Sequence, residues 1–317
     1  MVNQRRLALP NPHLTEVTED FLYHLGLTTH DNLADMFRDI KFIVMGGSST
    51  TMLEFAKYAR GELYLPSDRL ENLCRSERYG LWKVGPLLVV AHGVGAPSIT
   101  ILLHELFKLV HYSNATNVMF IRVGTSAGIG VEPGTIVISE NALNASLRKE
   151  HRQVVLGQEI SRPTILDQVL AQALLMCQND PNIPSMLGST LCAEDFYEGQ
   201  GRLDGAFCDY TEEDKIEYLR RAYTMGCRNI EMESCAFSSL CHRAGVRGAV
   251  VCVTLIDRLQ SDLMSPADVE RYDELVRRPH QLVIKFIKRQ LGLKIKENKS
   301  LAQATSTPPT AIQPVTS

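Results

Sequence analysis

Short runs of consecutive apolar residues, rich in Val and Ile, alternate along this chain with longer stretches whose apolar residues recur every three or four positions. Residues 40–45, 87–91, 118–123 and 249–254 are of strand length and apolar on both faces. Strands of that kind belong in a sheet covered by helices on both sides. Helical spacing predicts helices over 97–112, 163–177, 212–225, 233–244 and 266–291. In the first of these, Ile99, Leu102, Leu103, Leu106 and Val110 share one face, and Pro97 suits a first turn, where its missing N–H has no helical partner anyway. The alternation predicts a single α/β domain over 1–293, three layers deep, with a mixed, mostly parallel twisted sheet between helices. Residues 1–15 are expected to be a poorly ordered extension. Residues 294–317 turn to Lys, Gln, Ser, Thr and Pro and are expected to be a disordered tail.

Composition narrows the class of partner. Of 317 residues, 33 are basic and 36 acidic, so the formal charge is −3, and no basic stripe invites a phosphate polymer. Nucleic acid is therefore not an expected partner. Residues 84–103 lack Asp, Glu, Lys and Arg, but Pro86, Pro97, three glycines and His92 interrupt any membrane helix there. No signal peptide is read at the N-terminus, and the eight cysteines form no C-x-x-C pair. The expectation is a cytoplasmic protein with reduced thiols and no metal.

The ends of the predicted strands are where an open α/β sheet binds ligands. Residues 46–51, G-G-S-S-T-T, form a glycine turn opening a helix, which reads either as an anion site or as an ordinary tight turn. Residues 92–98, H-G-V-G-A-P-S, lack the third glycine and later acid of a dinucleotide fingerprint; His92 reads as a hydrogen-bonded structural histidine. Arg122 is a lone charge in an apolar strand and needs an anionic partner, either a structural carboxylate or a bound phosphate beside Gly124–Thr125–Ser126. Glu231 and Glu233 point the same way on an extended chain and read either as a solvated strand end or as acceptors for sugar hydroxyls. In D-F-Y-E-G-Q-G-R-L-D-G, residues 195–205, two glycines set Gln200 and Arg202 on a sharply bent, mobile loop. A Gln amide and a planar Arg fork suit the edge of a flat heterocycle, with an aromatic ring to stack on it.

With E-D-F-L-Y-H-L-G-L-T-T, G-V-G-A-P-S-I, I-R-V-G-T-S-A-G-I-G, R-N-I-E-M-E-S and V-C-V-T-L-I-D-R-L, that string makes the chain resemble the animal-type uridine phosphorylases of the nucleoside phosphorylase superfamily over about residues 11–293. The resemblance implies phosphate-dependent cleavage of uridine to uracil and ribose 1-phosphate, with no cofactor beyond phosphate as co-substrate. It implies phosphate on Gly47, Arg122 and Thr125, completed by Arg78 of a second subunit. It implies ribose on Met232 and Glu233, with His24 from the same second subunit, hence a homodimer. Uracil would meet Gln200, Arg202, Phe196 and Arg258. Two positions depart from the pattern: Thr51 stands where the family has a phosphate-binding arginine, and Ala127 replaces a turn glycine, so that the loop must shift if this position needs positive φ. The alternatives are a paralogue that binds uracil or uridine without phosphorolysis, and a related enzyme with a shifted nucleoside preference.

Overall fold

In the computed structural model, residues 6–66 and 69–294 are described. The strands are β1 (Phe21–Leu22), β2 (Leu27–Thr28), β3 (Phe42–Gly46), β4 (Gly80–Val84), β5 (Leu87–Ala91), β6 (Met119–Gly128), β7 (Ile136–Asn144), β8 (Glu150–Val155), β9 (Gln158–Pro163), β10 (Ser185–Cys192), β11 (Cys227–Glu231) and β12 (Arg247–Asp257). The α-helices are α1 (Leu33–Phe37), α2 (Ser49–Glu62), α3 (Gly95–Tyr112), α4 (Gln168–Leu175), α5 (Glu212–Thr224), α6 (Ser234–Ala244), α7 (Pro266–Glu270) and α8 (Tyr272–Gln290).

The four apolar runs become β3, β5, β6 and β12, buried on both faces. Alternate residues of β3 serve opposite layers: Ile43 and Met45 pack with α1, α3 and α6, while Phe42 and Val44 pack with α2, α4 and α8. The eight-stranded sheet runs β11-β10-β7-β12-β6-β3-β5-β4, with parallel and antiparallel neighbours mixed. An additional antiparallel pairing of β11 with β6 closes five of these strands into a ring. A buried polar chain follows that ring: Ser139 to Thr190 at 2.6 Å, Thr190 to Asn229 at 2.8 Å, and Asn229 to Ser126 at 3.0 Å. Because β7, β10 and β11 carry these polar residues, their apolar pattern is broken, which explains why hydrophobicity alone does not reveal them as strands.

Three boundaries differ from the sequence pattern. The segment 163–177 is helical only over α4, because Pro163 ends β9 and the Asp167 carboxylate caps the helix by accepting from Leu170 N at 2.9 Å. The segment 266–291 is two helices that meet at Arg271. Of the stretch expected to be poorly ordered, residues 6 and 7 are fastened: Arg6 bridges Thr116, Leu7 is buried, and His111 Nδ1 lies 2.9 Å from the Leu7 carbonyl. The expected tail at 295–317 falls outside the described residues. Among the described residues, no helix is long and apolar enough to cross a membrane.

Candidate functional site

A cavity of about 510 Å³ opens where β3, β6, β11 and β12 end, walled also by the 195–205 loop and by α8. At one end the β3 strand gives way to α2 through Gly46 and Gly47. A Cβ on Gly46 would lie 2.5 Å from Met52 Sδ, and one on Gly47 would lie 3.1 Å from the Gly93 carbonyl, so a side chain at either would displace Met52 or crowd backbone. Ser48 caps α2, its Oγ accepting from Thr51 N at 3.3 Å, and Thr51 faces the cavity.

Arg122 rises from β6 into the cavity wall, only 4% exposed. Its partners are protein carboxylates: Glu231 at 2.8 Å and Glu233, with Cys252 Sγ accepting at 3.2 Å and Nε left unpaired. The carboxylate partner that the sequence allowed for Arg122 is thus present, supplied by both acids. Glu231 and Glu233 are correspondingly no solvated strand end; both are buried. Glu231 closes β11 and caps α6, accepting from Ser234 N at 3.0 Å and Ser234 Oγ at 2.5 Å. Glu233 accepts from Gly95 N at 2.6 Å, where α3 begins. Burial works to raise the Glu233 pKa, but Arg122, His92 and the Gly95 amide outweigh it and hold the carboxylate below its usual range. At Glu231 burial, together with the neighbouring Glu233 charge, outweighs Arg122 and raises the pKa, so the two carboxylates are shifted in opposite directions.

Thr125, Ser126 and Ala127 lie inside β6, which continues to Gly128, rather than on a turn after it. Ala127 pairs with Ile230 of β11 and is not among the residues of positive φ, so alanine fits there without strain. At the far end of the cavity, Gln200 closes a short 3₁₀ turn, Glu198–Gln200, and Gly201 leaves it at φ +62°. The loop is held rather than mobile. The Asp195 carboxylate accepts from Tyr197 N and Gly199 N at 2.6 and 2.8 Å, and Tyr210 donates to the Arg202 carbonyl at 2.6 Å. Arg202 makes a two-point contact with Asp204 at 2.6 and 2.8 Å and lies 4.6 Å from the centre of the half-exposed Phe196 ring. The Gln200 side-chain amide, 4% exposed, makes no hydrogen bond among the described residues.

Three expected site residues sit elsewhere. Arg258 is fully buried behind the loop, off the cavity wall, and donates to the carbonyls of Gln200 and Gly201 at 2.8 and 3.2 Å. His24 and Arg78 do not line the cavity of their own chain. His24 Nδ1 lies 2.7 Å from Glu105, and the exposed Arg78 rests over Tyr79. His92, expected to be hydrogen-bonded, is fully buried with neither ring nitrogen paired; burial first, then Arg122, push its pKa down to about 3. Sequence reasoning missed Asp262, which anchors Arg258 at 2.6 Å and Lys215 at 2.9 Å, and His280, which stands on the cavity wall. Met232 lines the cavity beside Glu233.

The chain matches the phosphorylase superfamily over residues 41–289. It is 49% identical to uridine phosphorylase 1 of Mus musculus, covering 90% of this chain and 93% of that one. It is 38% identical to inactive uridine phosphorylase B of Schistosoma mansoni, over 89% of this chain and 96% of that one. The crystal structure of Schistosoma mansoni uridine phosphorylase in complex with uracil superposes with a TM-score of 0.84 at 39% identity, covering 90% of this chain and 100% of that one. The glycine turn, the buried arginine between two carboxylates and the Gln–Arg loop thus sit on a shared scaffold, and the chain belongs to the uridine phosphorylase family of the phosphorylase superfamily.

Proposed function

We propose that this protein is a uridine phosphorylase, a pentosyltransferase that splits uridine with inorganic phosphate into uracil and ribose 1-phosphate. The observation that carries the reading is the Gln200 amide, buried in the cavity wall without a hydrogen bond, next to the Arg202 fork and the Phe196 ring. That amide is not among the sealed polar atoms of the described residues but is open to the cavity, and a base edge offering both a carbonyl and an N–H matches its donor and acceptor. Glu233, kept ionised, accepts from the ribose hydroxyls, with Met232 against the sugar. Phosphate takes the opposite end, between Gly47, Thr51, Thr125 and Arg122.

The chemistry follows from that placement. A phosphate oxygen bonds to C1′ as the C1′–N1 bond breaks, and the electron pair of that bond leaves with uracil, whose N1 then takes a proton from solvent. Donors set at the base edge stabilise the departing anion where charge develops, which is how a site lowers a barrier. No metal or organic cofactor takes part in this scheme. His24 and Arg78, absent from their own cavity, are supplied across the interface of a homodimer, with Arg78 on the phosphate and His24 near the ribose.

Thr51 supports a second reading, a relative that binds the nucleoside and turns it over slowly or not at all. Losing one charge-assisted contact costs about 1.5–3 kcal/mol, or roughly 10- to 150-fold in phosphate affinity or rate. The purified protein should release uracil from uridine only when phosphate or arsenate is supplied. Uracil binding with no ribose 1-phosphate formed would favour the second reading. Thr51→Arg should lower the KM for phosphate with little effect on the KM for uridine.

A further inference from the structure

One titratable group on the cavity wall has no part in the reaction as described. His280 projects from α8, is 6% exposed, and forms no hydrogen bond among the described residues. Its one ring contact is with Phe55 of α2, the two rings lying 4.7 Å apart and 20° from parallel. Thr51 and Phe55 are four residues apart on α2, so they occupy the same face one turn from each other. His280 is therefore packed against the turn that carries Thr51, and both residues line the same cavity. A face-to-face ring contact satisfies neither imidazole nitrogen, since both point out from the ring edge. Neither nitrogen is among the sealed, unpaired atoms of the described residues, so the ring edge keeps contact with the cavity, where a ligand can reach it.

The surroundings identify the kind of ligand. The Gly46–Gly47 turn and Ser48, the cap of the fourteen-residue helix α2, lie on the same wall, and a helix N-terminus favours negative charge. Arg122 also lines the cavity, but its charge is already met by Glu231 and Glu233. A threonine at position 51 is short and uncharged, leaving both space and an unmet positive role next to the imidazole. We propose that His280 is a ligand of the acceptor oxyanion: its imidazole binds phosphate in the space beside Thr51 and takes up a proton as the anion enters. The proposal rests on the phosphorylase reading and says how this chain holds phosphate without the arginine.

The electrostatics agree with that geometry. Burial alone lowers the His280 pKa to about 4, so the ring is neutral in the empty site. No charge on the elements packed around it offsets that. On α2, Lys57 pairs with Glu54 and Glu62 with Lys288 of α8; α4 carries no ionisable residue. On β6, Arg122 is held by Glu231 and Glu233, and on β12 Asp257 accepts from Gly130 N and Leu259 N. Asp268 of α7 is bonded to Ser265, and on α8 Glu274 pairs with Arg271 and Arg278. A dianion brought against the imidazole favours its charged form, so anion affinity should fall as pH rises.

Sulfate is the probe for the binding step, because its own charge does not change between pH 5 and 8. Calorimetry in two buffers of different ionisation enthalpy should show proton uptake on sulfate binding to the full chain, with affinity weakening towards pH 8. His280→Gln keeps a planar group against Phe55 but cannot titrate; it should abolish that uptake and flatten the pH dependence. With phosphate as substrate, His280→Gln and His280→Ala should raise the KM for phosphate roughly 10- to 100-fold and leave the KM for uridine within about two-fold. Thermal melts check that both variants are folded. Proton uptake that persists in His280→Gln would belong to the Glu231–Glu233 pair and overturn the proposal. So would an unchanged KM for phosphate in both variants, or a wild-type chain that binds no sulfate. Failure of the wild type to cleave uridine would instead sink the phosphorylase reading while the sulfate arm still decides on His280.

Discussion

Arg258 shows at the scale of one residue how a site can depend on a side chain that never reaches the ligand. Its guanidinium is fully buried, bonded to Asp262 at 2.6 Å and to the Gln200 and Gly201 carbonyls. Asp262 in turn holds Lys215, and its own carbonyl accepts from Arg202 at 2.9 Å. Arg258 is thus a positioning residue that fixes the back of the loop whose front presents Gln200. Arg258→Ala leaves a buried carboxylate short of a partner and two carbonyls unpaired, a loss of about 3–5 kcal/mol measurable by urea unfolding. In whatever fraction remains folded, the KM for uridine should rise while the KM for phosphate, set at the other end of the cavity, changes by less than about two-fold. A uridine KM equal to that of the parent would show that the loop keeps its shape without the guanidinium.

At the scale of elements, β6 decides the site. It enters as an apolar strand between β3 and β12, carries Arg122 into the wall, and then crosses to meet β11 at Asn229–Gly128 and Ile230–Ala127. That crossing brings Arg122 to Glu231 and Glu233. It demands a residue without a side chain at Gly128, where a Cβ would lie 2.5 Å from the Val131 carbonyl and 2.9 Å from that of Ile256. Both obstacles are backbone and cannot rotate away, so Gly128→Ala should cost about 1–3 kcal/mol in denaturant unfolding and lower activity by disturbing Arg122. Gly61→Ala in α2 is the contrast. Nothing lies within 4 Å of its added Cβ, so stability should rise by about 0.5–1 kcal/mol with kinetics unchanged. Equal stability of the two variants would refute the close approach at Gly128.

The whole molecule is incomplete as a single chain if the proposed function is right, because His24 and Arg78 lie off the cavity that needs them. That arrangement has a direct consequence for mixtures. Arg78→Ala and Gln200→Ala proteins should each be poorly active, one through its partner's phosphate site and one through its own base site. Mixed in equal amounts and allowed to exchange subunits, they should recover about a quarter of wild-type activity. Half the dimers are then hybrids, and each hybrid has one site with both residues intact. Mixing that restores nothing, with exchange shown by a mass-tagged subunit, would mean that Arg78 serves its own chain or none.

The sequence by itself determined the layers, because strands buried on both faces must be apolar throughout, as β3 and β5 are. It also marked Arg122, as a lone charge among apolar residues, and Gln200 and Arg202, as polar residues framed by glycines. These signals are local and survive in a linear reading. Only the tertiary structure decided that the sheet closes on itself and that Arg122 meets carboxylates 109 and 111 residues away. It alone set Arg258 behind the loop and His280 beside the turn of Thr51. Such pairings depend on strand register and on how helices pack across layers, and neither leaves a periodicity in the chain. The acidic, serine- and threonine-bearing strands of the ring were illegible for the same reason: their polar residues bond to one another in the interior, which a pattern of hydrophobicity reads as surface.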